Sequence, residues 1–281
     1  MRVRAFAKIN LSLQIVGARA DGYHELRTVF QSIALHDTLT IRAARGPFRL
    51  TCDNPECPAE SANLIWRAAD RMWRASGRRG APRDLAIDLK KRIPMNAGLG
   101  GGSSDAAAAL RAFARLWRVD SVRARRIGRE LGADVPYFFE GGTVLGLERG
   151  DQLFPLIDRP RAFAVLVIPA FGISTREAFE WWDQVKGTEG DAPASEDAEE
   201  DVNDLQAPVA ARYPEIRRIV GVLRRTGATQ AAMTGSGSTV FGLFQTAHAA
   251  SRASQVAASR MRRTIVTRTL NRQQYQRLAG M

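Results

Sequence analysis

One glycine- and serine-rich run constrains this chain more than any other stretch. Pro94-Met95-Asn96-Ala97-Gly98-Leu99-Gly100-Gly101-Gly102-Ser103-Ser104-Asp105 follows a segment in which Leu85, Ile87 and Leu89 recur every second residue, and it opens an alanine-rich segment, 103–117. A period of two predicts a half-buried strand and the alanine-rich segment predicts a helix, so the order is strand, loop, helix. Glycines adopt dihedrals closed to other residues and let the backbone approach a ligand, while the start of a helix offers unpaired N–H groups and a positive dipole end. Residues 94–104 therefore read as a phosphate cradle. Ser103, Ser104 and Asp105 are expected to cap the helix, with the serine hydroxyls in reach of a phosphate oxygen or magnesium ion. The alternative is a loop whose polar residues only cap the helix. No Lys-Ser/Thr pair ends the run, which excludes a Walker A loop. A dinucleotide fingerprint would need glycine where Ser103 stands and an acidic residue closing the next strand, whereas Asp120 follows the helix. A third kind of nucleotide loop is required.

Around this loop, Ile9, Leu11, Leu13 and Ile15 alternate with Lys8, Asn10, Ser12 and Gln14, which predicts a first strand with Lys8 and Asn10 on the face opposite the core. A turn at 17–22, a strand through 29–35 and a helix over 62–76 follow. Further on, 163–168 reads as a strand, 175–185 as a helix, 214–225 as a helix, 231–244 as strand, turn, strand, and 247–260 as a last helix. Residues 186–201 are acidic and aperiodic and read as a loop. The expected division is two domains, 1–158 and 159–281. Two smaller motifs stand out: Gly132-Ala133-Asp134-Val135-Pro136 sets a carboxylate at a short-helix start, and Met233-Thr234-Gly235-Ser236-Gly237-Ser238 is a second glycine-serine turn. Taken singly, Asp134 reads as a helix cap, Lys8 as a strand lysine and the turn as a plain hairpin.

Composition bounds the partners. In 281 residues, 45% are hydrophobic and 25% charged, as in an ordinary globular protein long enough for two domains. The formal charge of +12 is uneven: seven carboxylates fall within 189–201, and residues 216–281 hold eleven arginines and no acid. This balance attracts a phosphate-rich partner, nucleic acid or small polyphosphate. Arginine outnumbers lysine by 37 to 4, so the lysines kept at 8, 90, 91 and 186 draw notice. Cys52 and Cys57 have no second pair or nearby histidine for zinc and are expected as reduced thiols. No apolar stretch approaches the roughly 20 residues of a spanning helix. The expectation is a cytoplasmic protein with no membrane or nucleic-acid partner, a monomer or weak homodimer.

Together, Ala7-Lys8-Ile9-Asn10-Leu11, the loop 94–105, Gly132 to Pro136 and Met233 to Ser238 resemble, in that order, the GHMP kinase superfamily. Arg19-Ala20-Asp21-Gly22-Tyr23-His24-Glu25-Leu26 is similar to the corresponding segment of a branch whose substrate carries a cytidine diphosphate group, and Phe30-Gln31 and Asn203-Asp204-Leu205 extend the likeness. Phe6 departs from the proline of many relatives. The resemblance implies an α/β (α+β), two-domain GHMP kinase fold with its active site in the interdomain cleft. The implied reaction moves the γ-phosphoryl group of ATP, with Mg2+, onto a tertiary hydroxyl of a methylerythritol in the non-mevalonate isoprenoid precursor pathway. Implied roles are general base for Asp134, electrostatic partner for Lys8, ATP binding for Pro94 to Ser104, and substrate binding for Asn10, Tyr23, His24, Thr175 and Phe179. No cluster of carboxylates marks a metal site.

Overall fold

The computed structural model describes residues 1–58, 60–189 and 203–281. Its scaffold starts with two long antiparallel strands, β1 (Arg2–Ala18) and β2 (His24–Pro47), joined by a tight turn and interrupted by register shifts beside Lys8, Ser12 and Gly17. With β3 (Arg49–Cys52), β4 (Arg83–Lys90), β5 (Thr143–Leu147) and β6 (Gln152–Pro155) they make a six-stranded sheet of order β3-β4-β2-β5-β6, β1 lying beside β2. Helices α1 (Leu64–Ala75), α2 (Gly101–Trp117) and α3 (Ser121–Leu131) cover it. In α1, Ile65, Ala68, Ala69 and Met72 form one buried stripe of the shared core, where α1 packs on α2 and α3, as helical spacing requires. The Asn63 side chain accepts the Ile65 N–H at 2.9 Å and so fixes where α1 starts. Four consecutive buried alanines, Ala106 to Ala109, keep α2 thin enough to lie deep in this core.

The second sheet has order β10-β7-β9-β8, built from β7 (Phe163–Pro169), β8 (Gln230–Met233), β9 (Val240–Phe244) and β10 (Arg262–Arg268). Residues of α4 (Thr175–Glu189), α5 (Gln206–Arg212), α6 (Glu215–Arg225) and α7 (Ala247–Ala257) share its core, with Ile216, Ile219 and Leu223 the buried stripe of α6. Between the sheets runs a third apolar cluster, in which Ala7, Ile9 and Leu11 of β1 meet Leu166, Ala232 and Phe241. The core face of β1 therefore serves as the seam. The last helix, α8 (Arg272–Ala279), crosses back to the first sheet: the Tyr275 ring packs tilted against Phe6 (5.7 Å between ring centroids), and its hydroxyl donates to the Phe138 carbonyl at 2.7 Å. Phe6 thus anchors α8, which accounts for an aromatic residue there.

Several expectations change in detail. The strand expected at 29–35 is part of the 24-residue β2, and β1 runs on through Ala18 into what read as a turn. The helix expected over 247–260 stops at Ala257, and the chain turns into β10, whose arginines masked its strand character. Helix α2 starts at Gly101, two residues before Ser103. Asp120 is the N-cap of α3, accepting the Arg123 N–H at 2.8 Å. The acidic stretch from 190 onward lies outside the described residues.

Candidate active site

A cleft of about 1050 Å³ is lined by β1, β2 and the glycine loop on one side and by α4 and the 233–238 turn on the other. Its floor is β1. Lys8 and Asn10 do point away from Ile9 and Leu11, yet they are only 4% and 2% exposed, because the glycine loop and the turn before Pro136 cover that face. Lys8 Nζ donates to Asn10 Oδ1 at 2.6 Å, lies 3.4 Å from Asp134 Oδ2 and sits over the Phe30 ring. Asp134, on the turn after α3, is the more open partner at 36%. Asn10 is tied to two further elements: its amide donates to Thr28 Oγ1 at 2.7 Å and its backbone N–H to Thr234 Oγ1 at 2.9 Å. It lines the cleft chiefly as the group that orients Lys8.

Pro94, Met95, Asn96, Ala97, Gly98, Leu99, Gly100, Gly101, Gly102 and Ser103 also line the cleft. Gly100 is the left-handed N-cap of α2 (φ 69°) and supplies no side-chain cap, so the first N–H groups of α2 have no acceptor within the helix. Two sequence expectations are corrected here. Ser103, Ser104 and Asp105 lie inside the first turns of α2 and do not cap it. Ser104 is 1% exposed and absent from the cleft wall; its hydroxyl donates to the Phe6 carbonyl at 2.7 Å, which ties α2 to β1. Packing gives two of the glycines a further reason. A Cβ on Gly98 would lie 2.1 Å from the Thr234 carbonyl oxygen, and one on Gly100 2.8 Å from Phe138 and 3.2 Å from Lys8, so protein packing forbids side chains there. At Gly102 the nearest atom would be 3.9 Å away, on Leu64.

The turn 233–238 reaches the cleft through Gly235 and Ser236. Asn203 holds it, donating from Nδ2 to the carbonyls of Met233 (2.8 Å) and Gly235 (2.7 Å), while Asp204 accepts the Ile15 N–H at 2.7 Å. Asn203 and Asp204 therefore rivet the second sheet to β1.

At one end of the cleft stand Tyr23, His24, Thr175 and Phe179. Tyr23 is 57% exposed with the Arg149 guanidinium 5.3 Å from its ring center. His24 and Phe179 stack on each other at 4.8 Å, and Thr175, at the start of α4, shares a 3.2 Å hydrogen bond with Ser236. The other end, beyond the glycine loop, is lined by Cys57, Pro58, Asn63 and Leu64.

Sequence reasoning missed the buried charge cluster under the loop. Lys91 Nζ donates to both Asp37 and Asp105, the latter at 2.8 Å, with all three side chains at most 5% exposed. Burial pushes the Asp105 carboxyl up to about 8, and the two carboxylates raise the Lys91 ammonium above its ordinary value against its own burial. The survival of lysine at 91 in an arginine-rich chain was the available signal; nothing marked Asp37. Among the described residues, no group of three or more His, Cys, Asp or Glu is placed to hold a metal ion. No helix there is long and apolar enough to cross a membrane.

Two sheets joined along β1, with a glycine-rich helix start beside a Lys-Asp pair in one cleft, define a small-molecule kinase of a particular architecture. Residues 63–142 match the model of the GHMP kinases N terminal domain and 189–263 that of the GHMP kinases C terminal domain. The chain is 41% identical to the 4-diphosphocytidyl-2-C-methyl-D-erythritol kinase of Moorella thermoacetica, over 95% of this chain and 98% of the relative. A crystal structure of 4-(cytidine 5'-diphospho)-2C-methyl-D-erythritol kinase superposes with a TM-score of 0.80 at 32% identity, covering 96% of this chain and 99% of that one. A crystal structure of mevalonate kinase, at 12% identity and a TM-score of 0.70, shares the fold alone. The chain belongs to the GHMP kinases and, within them, to the 4-diphosphocytidyl-2-C-methyl-D-erythritol kinase family.

Proposed function

We propose that this protein transfers the γ-phosphoryl group of ATP to the 2-hydroxyl of 4-diphosphocytidyl-2-C-methyl-D-erythritol, a step in non-mevalonate isoprenoid synthesis. The observation that carries the mechanism is the Lys8–Asp134 pair, 3.4 Å apart, in the same cleft as the open start of α2. Phosphoryl transfer asks a protein mainly to hold phosphates in line, neutralise charge and accept a proton. The N–H groups at the start of α2 bind the phosphates, Asp134 accepts the hydroxyl proton, and Lys8 stabilises the negative charge that develops between them. A lysine suits that place because its ammonium is a compact point charge, held here by Asn10.

Magnesium, if bound with the nucleotide, would neutralise phosphate charge, and Ser103, the loop hydroxyl that lines the cleft, is the residue that would help to hold it. The cytidine end of the substrate is assigned to Tyr23, His24 and Phe179, with Thr175 beside them. The adenine end is then assigned to the opposite wall, at Asn63 and Leu64. In this reading 1–158 and 159–281 act as two lobes of a cytoplasmic monomer or weak homodimer that binds no nucleic acid. A coupled assay with ATP and the cytidyl substrate tests the activity: turnover of the cytidyl substrate with no turnover of bare methylerythritol, mevalonate or homoserine is expected, and the reverse pattern would remove the assignment.

A further inference from the structure

The imidazole of His24 is held on three sides by one face of α4. Phe179 stacks on it with 20° between the ring planes, Trp182 meets it edge-on at 5.5 Å, and Asp183 Oδ1 lies 2.8 Å from Nε2. Positions 179, 182 and 183 are spaced i, i+3 and i+4, which brings three side chains onto one stripe of a helix. An ionised carboxylate accepts hydrogen bonds and donates none, so Nε2 carries the hydrogen in this contact. In the neutral ring Nδ1 is then an acceptor, and among the described residues it has no hydrogen-bond partner. His24 lines the cleft at the end assigned to the base.

We propose that Asp183 is a positioning residue that sets base specificity: by keeping the hydrogen on Nε2 it presents Nδ1 of His24 to the ligand as an acceptor. An acceptor there pairs with the exocyclic amine of cytosine and opposes the carbonyl that uracil carries at the same place. The inference rests on the reading of this end of the cleft as the cytidine end. Asp183 is 54% exposed, so as an ion pair it contributes little to stability. Its effect is on the ring. Without it, the hydrogen distributes between two nitrogens and the edge offered to the base loses its polarity.

Two measurements test this. The first is the ratio of kcat/KM for the cytidyl substrate to that for its uridyl analogue, in the wild type and in Asp183→Ala, Asp183→Asn and His24→Ala. The ratio in Asp183→Ala is expected to fall by about tenfold or more, mainly through KM of the cytidyl substrate. Asp183→Asn, whose amide oxygen still accepts from Nε2, is expected to retain part of it. The second is the imidazole nitrogen NMR spectrum of the unliganded protein, expected to show the Nε2-protonated neutral ring in the wild type and a mixture in Asp183→Ala. An unchanged ratio in Asp183→Ala alongside a collapsed ratio in His24→Ala would overturn the role of Asp183 and leave the cytidine pocket standing. A wild-type ratio near one would overturn the pocket and this inference together. Should Asp183→Ala fail to fold, an Nδ1-protonated ring in the wild-type spectrum would still refute the proposal.

Discussion

Gly98 and Thr234 touch backbone to backbone across the two sheets, so closely that a single added methyl on Gly98 would lie 2.1 Å from the Thr234 carbonyl oxygen. Gly98 also holds φ +71°, where a Cβ is strained whatever the space. The glycine loop, proposed as a phosphate cradle, is therefore also a close-packed joint with the 233–238 turn. The two roles fall on different glycines.

Substitution separates them. Gly98→Ala is expected to cost about 3 kcal/mol or more of stability, through overpacking plus backbone strain. Gly102→Ala, with open space around the new methyl, should melt within about 2 °C of the wild type and lose affinity only for ATP. Calorimetry and nucleotide titration on both variants check this; equal melting temperatures would dismiss the joint.

Asp134→Asn keeps the shape of the turn and removes the proposed proton acceptor. We expect kcat to fall roughly 10²- to 10⁴-fold with nucleotide affinity nearly intact, measured by steady-state kinetics and binding of a non-hydrolysable ATP analogue. Full activity in this variant would take Asp134 out of the mechanism.

The Lys91 cluster gives a pH signature. Since the folded Asp105 carboxyl is pushed up to about 8 while an unfolded carboxyl titrates near about 4, the folded chain holds a proton that the unfolded chain releases. Its stabilising contribution is complete below about pH 4 and is lost as the pH rises through about 8. Urea unfolding of Asp105→Asn across that range should show a shallower decline than the wild type. Lys91→Met, which leaves the buried Asp37 carboxylate without its cation and the Asp105 carboxyl without its partner, is expected to lose about 3–5 kcal/mol.

At α8, Tyr275→Phe removes one buried hydrogen bond to the Phe138 carbonyl and should cost about 1 kcal/mol. Tyr275→Ala also empties the space against Gly141 and Phe6, and about 3–5 kcal/mol is expected. Phe138 contacts the Gly100 side of the cleft, so nucleotide affinity should fall in the alanine variant as well.

Phe179 and His24 are stacked partners, so their effects on the substrate are expected to be coupled. Phe179→Ala should lose about 1–3 kcal/mol of substrate binding and, by freeing the imidazole, also reduce the preference for cytidyl over uridyl substrate. A double-mutant cycle with His24→Ala should be clearly non-additive. Additive losses would mean that the two rings act separately.

The features legible in the order of the residues are mostly local. The strand-loop-helix order at 85–117 follows from two periodicities meeting at a glycine run, and α1 and α6 from apolar stripes at helical spacing. Lys8, Asp134 and the loop stand out only as a set of short motifs whose order resembles a known family; none of them is distinctive alone. Long-range pairing was not legible. Period two on β1 separates two faces but says nothing of what covers each, and only the tertiary structure buries Lys8 and Asn10 beneath the loop. The arginines of β10 hid a strand whose stability comes from its pairing with β7.

The buried Lys91–Asp37–Asp105 cluster, Ser104 turned onto Phe6 and Asp183 against His24 join residues 14 to 159 positions apart. No local propensity encodes such contacts, because the free energy that fixes them is that of burying a polar group with a partner instead of without one. That difference exists only once β1, α2 and α4 have been brought together around the cleft.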